Sequence, residues 1–201
     1  MTAQLKADPN VVVIVIDPLG TQGWLRPNHL HPPFNNAKAR QALVHAVNQE
    51  EYLQALVGTP EFYKVCAAYF ICGTPKESKV GTEALAKVNL EKAKKLLAES
   101  GYKGEKIIMM HPTDIPVLNS ATLVTAQMLR DIGMNVTVQA MDWSTLTSRR
   151  AEKKSPADGG WNIFHTYSTG ADVSSPIANI GISGGGVEKA WFGWPTDAKI
   201  E

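Results

Sequence analysis

NLEKAKKLLAESGYKGEKIIMMHPTDIPVLNSATLVTAQMLRDIGMNVTVQAMD, residues 89–142, decides the fold. It reads as helix, strand, helix, strand. Asn89 can cap the first helix by accepting a hydrogen bond from an otherwise unpaired backbone N–H. Behind it Leu90, Ala93, Leu96 and Leu97 recur at helical spacing and form an apolar face. Gly101 suits the left-handed conformation after the last turn, from which Tyr102 can fold back onto Leu97. Ile107, Ile108, Met109 and Met110 are apolar without alternation, the pattern of a strand covered on both faces. A second helix carries Val117, Ala121, Val124 and Met128 on one face and stops at Gly133. Val136, Val138 and Ala140 then alternate with Asn135, Thr137 and Gln139, the period of a half-covered strand. Successive βα units imply an α/β fold, a mostly parallel sheet flanked by helices.

The rest of the composition agrees with a globular lobe. At 201 residues, 44% hydrophobic and 19% charged, the chain can bury a core. A formal net charge of +1 and the lack of a basic cluster exclude strong attraction to nucleic acid. The longest apolar run, residues 11–16, is too short to span a bilayer. Met1-Thr2-Ala3-Gln4 has neither the basic start nor the apolar stretch of a signal peptide, as expected of a lobe separated from its leader. Cys66 and Cys72 match neither CxxC redox spacing nor a zinc site. Two buried thiols and a short-loop disulfide are both compatible with them, the disulfide being favoured. It would contribute about 2.4 kcal/mol by chain entropy and point to an oxidising compartment such as the periplasm.

Outward from the module, residues 11–16 (VVVIVI) read as a buried strand closed by Asp17-Pro18. Residues 19–33 read as irregular, with Trp24, Arg26, His29 and His31 exposed. Ala39, Ala42, Leu43, Ala46 and Val47 fall on one helical face. Asn48 and Glu51 resemble a capping box opening a short helix with Tyr52, Leu53, Leu56 and Val57. Residues 62–88 form a long connection that needs tying down. Downstream of the module, Asp142 caps a helix with Trp143 and Leu146 and residues 155–160 turn. Residues 161–167 form a last strand, and a Gly/Ser-rich loop follows. Residues 196–201 look like a helix cut after one turn, which suggests a fragment. The whole reads as a single lobe, 1–201, with a helical and irregular insertion at 19–88. Its βα core spans 89–180, and the Gly-rich loop and start of a truncated helix occupy 181–201.

Gly181-Ile182-Ser183-Gly184-Gly185 matches the G-x-S-x-G nucleophile elbow, but no strand precedes it and no histidine follows His165. His29-x-His31 lacks a third metal ligand, and no G-x-G-x-x-G or Walker pattern follows a strand. Arg149-Arg150 near Lys153-Lys154 reads as a solvated helix end. The loop after the last strand is the better candidate, because open α/β sheets bind ligands at the carboxyl ends of their strands. It offers Tyr167, the hydroxyls of Thr166, Ser168 and Thr169, and the carboxylate of Asp172, with His165 on the strand leading into it. A carboxylate among hydroxyls and an aromatic suits an amine-bearing ligand. An Asp-Ser-Ser turn before Pro176 is the structural alternative.

Several segments, taken in order, resemble the second lobe of the extracytoplasmic solute-binding proteins (family 5) of dipeptide and oligopeptide ABC importers. Asn28, Pro32-Pro33-Phe34-Asn35, Arg40-Gln41-Ala42-Leu43 and Ala46-Val47-Asn48 look like that family's N-x-x-x-P-P-F to R-Q-A-L-x-x-A-I-D segment. Residues 89–102 are similar to its D-x-x-K-A-K-x-L-L-x-E-A-G-Y helix. Gln127-Met128-Leu129 with Ile132-Gly133 and Val136 is similar to its L-x-x-I-G-I-x-V turn. Met141-Asp142-Trp143, Trp191-Phe192-Gly193-Trp194-Pro195 and the Cys66–Pro75 stretch resemble one subgroup. The resemblance implies one lobe of a type II periplasmic-binding-protein fold, with a hinge strand in the 1–18 region and the ligand held between this lobe and a first lobe of the same protein. It implies a non-enzymatic periplasmic or extracytoplasmic component that needs no cofactor and delivers a peptide or other small amine-bearing solute to a membrane permease. Peptide-binding relatives carry W-x-x-D-x-x-x-P after the last strand, their Asp meeting the ligand's amino terminus; Asp172 falls on that Asp. Thr169 falls on the Trp, a departure for which Tyr167 can compensate, with Trp24 also packing on the ligand. The rival readings are a small α/β hydrolase using Ser183 and a stand-alone interaction domain using the Trp191–Trp194 patch.

Overall fold

In the computed structural model, which describes residues 2–200, the chain builds a four-stranded sheet in the order β1-β4-β2-β3. β2 (Lys106–Pro112) and β3 (Asn135–Met141) run parallel, Ile107 facing Val136 and Met109 facing Val138, with α6 (Pro116–Asp131) as the crossover. β4 (Ile163–Thr169) lies parallel to β2, and β1 (Thr21–Pro27) closes the other side antiparallel to β4. The β2–β4 junction is ladder-poor, pairing only Met109 with Ile163. Asn162, fully buried, makes up the difference. Its backbone N–H donates to Ile108 O (2.8 Å) and its Oδ1 accepts from Ile108 N (2.8 Å). Its amide donates to Pro32 O (3.0 Å), so one side chain replaces a missing rung and anchors the segment entering α2 (Ala37–Ala46).

The sheet is covered on both faces. Ile107, Met109 and Ile163 point to one side, where they pack with Ala39, Leu43, Leu97 and Leu129 from α2, α5 (Leu90–Glu99) and α6. Met110 and Phe164 point to the other, onto Leu146, Trp161 and Trp194. Non-alternating apolar β2 therefore means what it predicts. The module's punctuation holds as well: Asn89 accepts from Lys92 N (2.9 Å) and Gly101 sits at φ +82. The Tyr102 hydroxyl donates to Glu105 O (2.7 Å) and accepts from Asn135 N (2.8 Å), locking the end of α5 to the starts of β2 and β3. Asp142 caps α7 (Trp143–Arg149) through Thr145 N. Cys66 and Cys72 form a disulfide, tying down the long connection before α4 (Glu83–Ala86).

Other expectations fail for identifiable reasons. Residues 11–16 form no strand after α1 (Thr2–Ala7), and Val12 and Ile16 are 84% and 89% exposed. A strand needs a neighbour's N–H and C=O groups, and this run pairs with none of the four strands. The first strand lies instead in the stretch expected to be irregular: TQGWLRP has little periodicity, but β4 supplies it a continuous antiparallel edge from Thr169 to Ile163. Trp24, Arg26, His29 and His31 are accordingly half-buried. Asn48 makes no side-chain capping bond to α3 (Gln49–Leu56), none of whose residues is fully buried. The buried face of α6 is Leu118, Ala121, Thr122, Thr125, Ala126, Met128 and Leu129, rotated from the expected stripe, so that Val117 is exposed. On β3, an edge strand, burial does not alternate. The Gly/Ser-rich loop is built of short elements, among them α8 (Gly170–Val173), a 3-10 turn at Ile180–Ile182 and α9 (Gly186–Lys189). Residues 197–200 make a hydrogen-bonded turn rather than a helix, Ile200 N donating to Asp197 O; Glu201 lies outside the described residues.

Candidate functional site

The carboxyl end of β4 turns directly into α8, and this corner holds most of the candidate residues. The β1–β4 register sets Trp24 opposite Thr166, Leu25 opposite His165 and Gly23 opposite Tyr167. Because successive side chains alternate, Thr166 and Ser168 share a face with Trp24, whereas His165 and Tyr167 project to the other. The residues singled out from sequence therefore divide between two faces.

Asp172, Ser168 and Thr169 come together. The Thr169 hydroxyl donates to Asp172 Oδ2 (2.8 Å) and accepts from Asp172 N (3.3 Å), a reciprocal cap on the first turn of α8. The Ser168 hydroxyl donates to the same oxygen (3.3 Å). Asp172 is exposed, and its Oδ1 accepts no hydrogen bond among the described residues. Two hydroxyls on one oxygen thus fix the carboxylate's orientation. Gly170 makes the corner possible: its N–H donates to Gly20 O (2.7 Å), and a Cβ on it would stand 2.5 Å from Leu19 Cβ.

His165 is not available to a solute. It is 3% exposed, with Nε2 2.6 Å from Thr125 Oγ1, which lies 2.5 Å from the Tyr52 hydroxyl. Burial pushes the imidazole down to about 4, and a hydrogen bond to the Trp24 backbone opposes that shift only in part. Near neutral pH the ring is therefore uncharged and shares a hydrogen bond with the Thr125 hydroxyl at Nε2. Thr166 is also buried, whereas Tyr167 is 49% exposed on the face away from Trp24. It cannot join Trp24 in packing on one ligand from the same sheet face.

Trp24 belongs to an aromatic layer. It meets Trp191 edge-to-face at 5.7 Å, its Nε1 donates to Gln22 (3.0 Å), and Gly181 lies against its ring. Arg26, beside it, was legible only as a surface cation, yet it pins the layer. Its guanidinium donates to Phe192 O (2.5 Å), Gly181 O (2.6 Å) and Trp191 O (3.3 Å) and stacks 5.2 Å from Trp191. Burial lowers it to about 10. The long-range partners of Arg26 leave no trace in local sequence.

The rival chemistries find no support. Ser183 follows a 3-10 turn and precedes a bridge between Gly185 and Thr196, so it has no strand-to-helix elbow. In the Trp191–Trp194 patch Trp191 and Phe192 are half-buried, while Trp194 is 4% exposed and packs 5.8 Å from Trp161. His31 Nε2 bonds Lys153 O, and burial, with Arg40 and Arg26 nearby, pushes His29 down to about 4. Among the described residues no three potential ligands cluster for a metal, and no helix is long and apolar enough to cross a membrane.

Comparison with known proteins gives a consistent answer. Residues 1–188 match the model of the bacterial extracellular solute-binding proteins, family 5 Middle. The chain is 37% identical over 199 residues to y4tO of Sinorhizobium fredii, named a peptide ABC transporter periplasmic-binding protein. That alignment covers 98% of this chain and 37% of the relative's length. Among solved structures, NikA of Staphylococcus aureus in complex with Ni(L-His)2 superposes with a TM-score of 0.72 at 18% identity, over 98% of this chain and 40% of that one. DppA of Helicobacter pylori in complex with peptide STSA gives 0.67 at 21% identity, over 88% and 32%. The architecture is that of a type II periplasmic-binding-protein lobe, and the chain belongs to the family 5 extracellular solute-binding proteins.

Proposed function

We propose that this chain forms one wall of a solute cleft in the binding component of an ABC importer, and that Asp172 receives the amine of a peptide or similar small solute. The observation that carries the reading is the Asp172 carboxylate, exposed at the carboxyl end of a parallel strand, with Oδ2 held by two hydroxyls and Oδ1 open. A pre-oriented carboxylate binds a cation with less ordering cost than a mobile one. The likeness to a peptide-binding relative agrees with it. The protein works outside the cytoplasm, where the Cys66–Cys72 disulfide persists, and hands its solute to a membrane permease. No bond is made or broken. The solute binds this wall, and contacts with a facing lobe hold the closed form of an open–closed equilibrium. Residues 11–16, apolar and unpaired, are proposed as the hinge side of that arrangement.

Calorimetry on the intact protein containing this chain tests the reading with trialanine and N-acetyl-trialanine. Asp172→Asn should weaken trialanine by about 1.5–3 kcal/mol, the worth of a charge-assisted contact, and acetylation should do the same. Affinity unchanged by both would refute the assignment.

A further inference from the structure

The chain has a single place where an aspartate or asparagine is followed by glycine, Asp158-Gly159. The pair lies in the turn between α7 and β4, where a 3-10 turn at Pro156–Asp158 ends on Gly159 at φ +95. Both residues are exposed. A glycine has no Cβ to shield its N–H, and that of Gly159 finds no well-formed hydrogen bond among the described residues. The carboxylate beside it is oriented at one oxygen, Oδ2 accepting from the Ser155 hydroxyl (2.6 Å). The other candidates lack this combination. Asp172 precedes Val173 inside α8, and Asn119 precedes Ser120 inside α6 with its Oδ1 committed to His111. Asp8 and Asp17 precede prolines, which have no N–H.

The turn has little room. Gly160 N donates to Ser155 O (2.8 Å), and a Cβ on Gly160 would collide with Lys154 O. Arg149 donates to the carbonyls of Gly159 (3.3 Å) and Gly160 (3.0 Å). Fully buried Trp161 and Asn162 follow at once, and Asn162 carries the β2–β4 junction. An extra main-chain atom at residue 158 therefore breaks bonds that set the entry to β4.

We infer that Asp158 is a site of spontaneous isoaspartate formation. The Gly159 nitrogen attacks Asp158 Cγ and a new C–N bond forms. One carboxyl oxygen leaves as water, carrying the nitrogen's proton and one from solvent. Water then opens the succinimide and returns both protons. Addition at Cγ restores aspartate. Addition at the main-chain carbonyl carbon of Asp158 breaks its bond to the Gly159 nitrogen, so the chain runs through Cβ and Cγ and an α-carboxylate is freed. One water is lost and one regained, with no other reactant. The product lengthens the main chain by one methylene and loosens the turn.

Ageing the intact protein near neutral pH in heavy-oxygen water tests this. Trypsin releases residues 155–189 as one fragment holding both Asp158 and Asp172, so the second aspartate is an internal control. Asp158 should take up a heavy oxygen and convert in part to the isoaspartyl linkage, while Asp172 takes up none. Electron-transfer fragmentation and labelling by an isoaspartyl carboxyl methyltransferase read the linkage. Asp158→Glu, which would need a larger ring to cyclise, should stay unlabelled. As isoaspartate accumulates, hydrogen exchange over residues 155–162 should rise in the wild type and stay flat in the Glu variant. No heavy oxygen at Asp158, or as much at Asp172, overturns the site. Unchanged exchange in the isomerised protein overturns its effect on the turn.

Discussion

Thr125→Val is the sharpest test of how β4 is held. Thr125 is fully buried and shares its hydroxyl between the Tyr52 hydroxyl (2.5 Å) and His165 Nε2 (2.6 Å), joining α3, α6 and β4. Valine keeps the shape and removes both bonds. Tyr52 can fall back on Met128 Sδ at 3.8 Å, a weak acceptor, but His165 Nε2 is left with nothing. Two net hydrogen bonds at about 1 kcal/mol each, plus part of the stranding cost of one buried ring nitrogen, give about 2–4 kcal/mol. Thr125→Ser restores the hydroxyl and loses only a methyl, about 1 kcal/mol. Hydrogen–deuterium exchange over α6 and β4 in the intact protein reads the local opening free energy without requiring the rest of the molecule to unfold. Exchange in the valine variant should rise by one to three decades, about 1.4 kcal/mol per decade, and in the serine variant by less. A valine variant matching wild type, or a serine variant as open as the valine one, would refute the shared-hydroxyl argument.

Further outcomes follow from the same contacts. His165 binds its proton at about 4 in the folded chain against 6.5 ordinarily, so between those values the unfolded state takes up a proton that the folded state refuses. Stability present above pH 6.5 is therefore lost as pH falls toward 4, by roughly 3 kcal/mol. His29 acts in the same direction and window, and exchange measured at pH 7.5 and 4.5 should show the loss concentrated at β4. Reducing the Cys66–Cys72 disulfide should destabilise the connection it closes by about 2.4 kcal/mol, seen as faster proteolysis between the 3-10 turn at Pro60–Phe62 and α4 with little change at β4. Gly170→Ala should push Leu19 away from the corner at a cost of about 1–3 kcal/mol, and weaken trialanine because Asp172 moves with it.

The sequence was most legible where local rules and tertiary packing agree. Asn89, Gly101 and Asp142 are caps whose partners lie within a few residues, and Ile107–Met110 carries its two-sided burial in its composition. Asp172 was legible only through its spacing from Pro176 in the family pattern, whereas the hydroxyls that orient it, Ser168 and Thr169, lie within four residues of it. What failed depends on partners far along the chain. β1 is a strand because β4, more than a hundred residues on, gives it an edge, and residues 11–16 have the composition of a strand without one. The pleat sends Tyr167 and Trp24 to opposite faces, which their positions in sequence do not show. Arg26 and His165 drew the wrong reading or none, since a buried cation satisfied by carbonyls and a neutral imidazole satisfied by a threonine look like surface residues in one dimension.

The central claim is that a solute amine rests on Asp172, and a crystal structure of the intact protein grown with trialanine tests it directly. The account predicts the peptide nitrogen about 2.7–2.9 Å from Asp172 Oδ1, with Ser168 and Thr169 still on Oδ2. A bound peptide whose amine lies elsewhere, with Asp172 bonded only to those two hydroxyls, would contradict it.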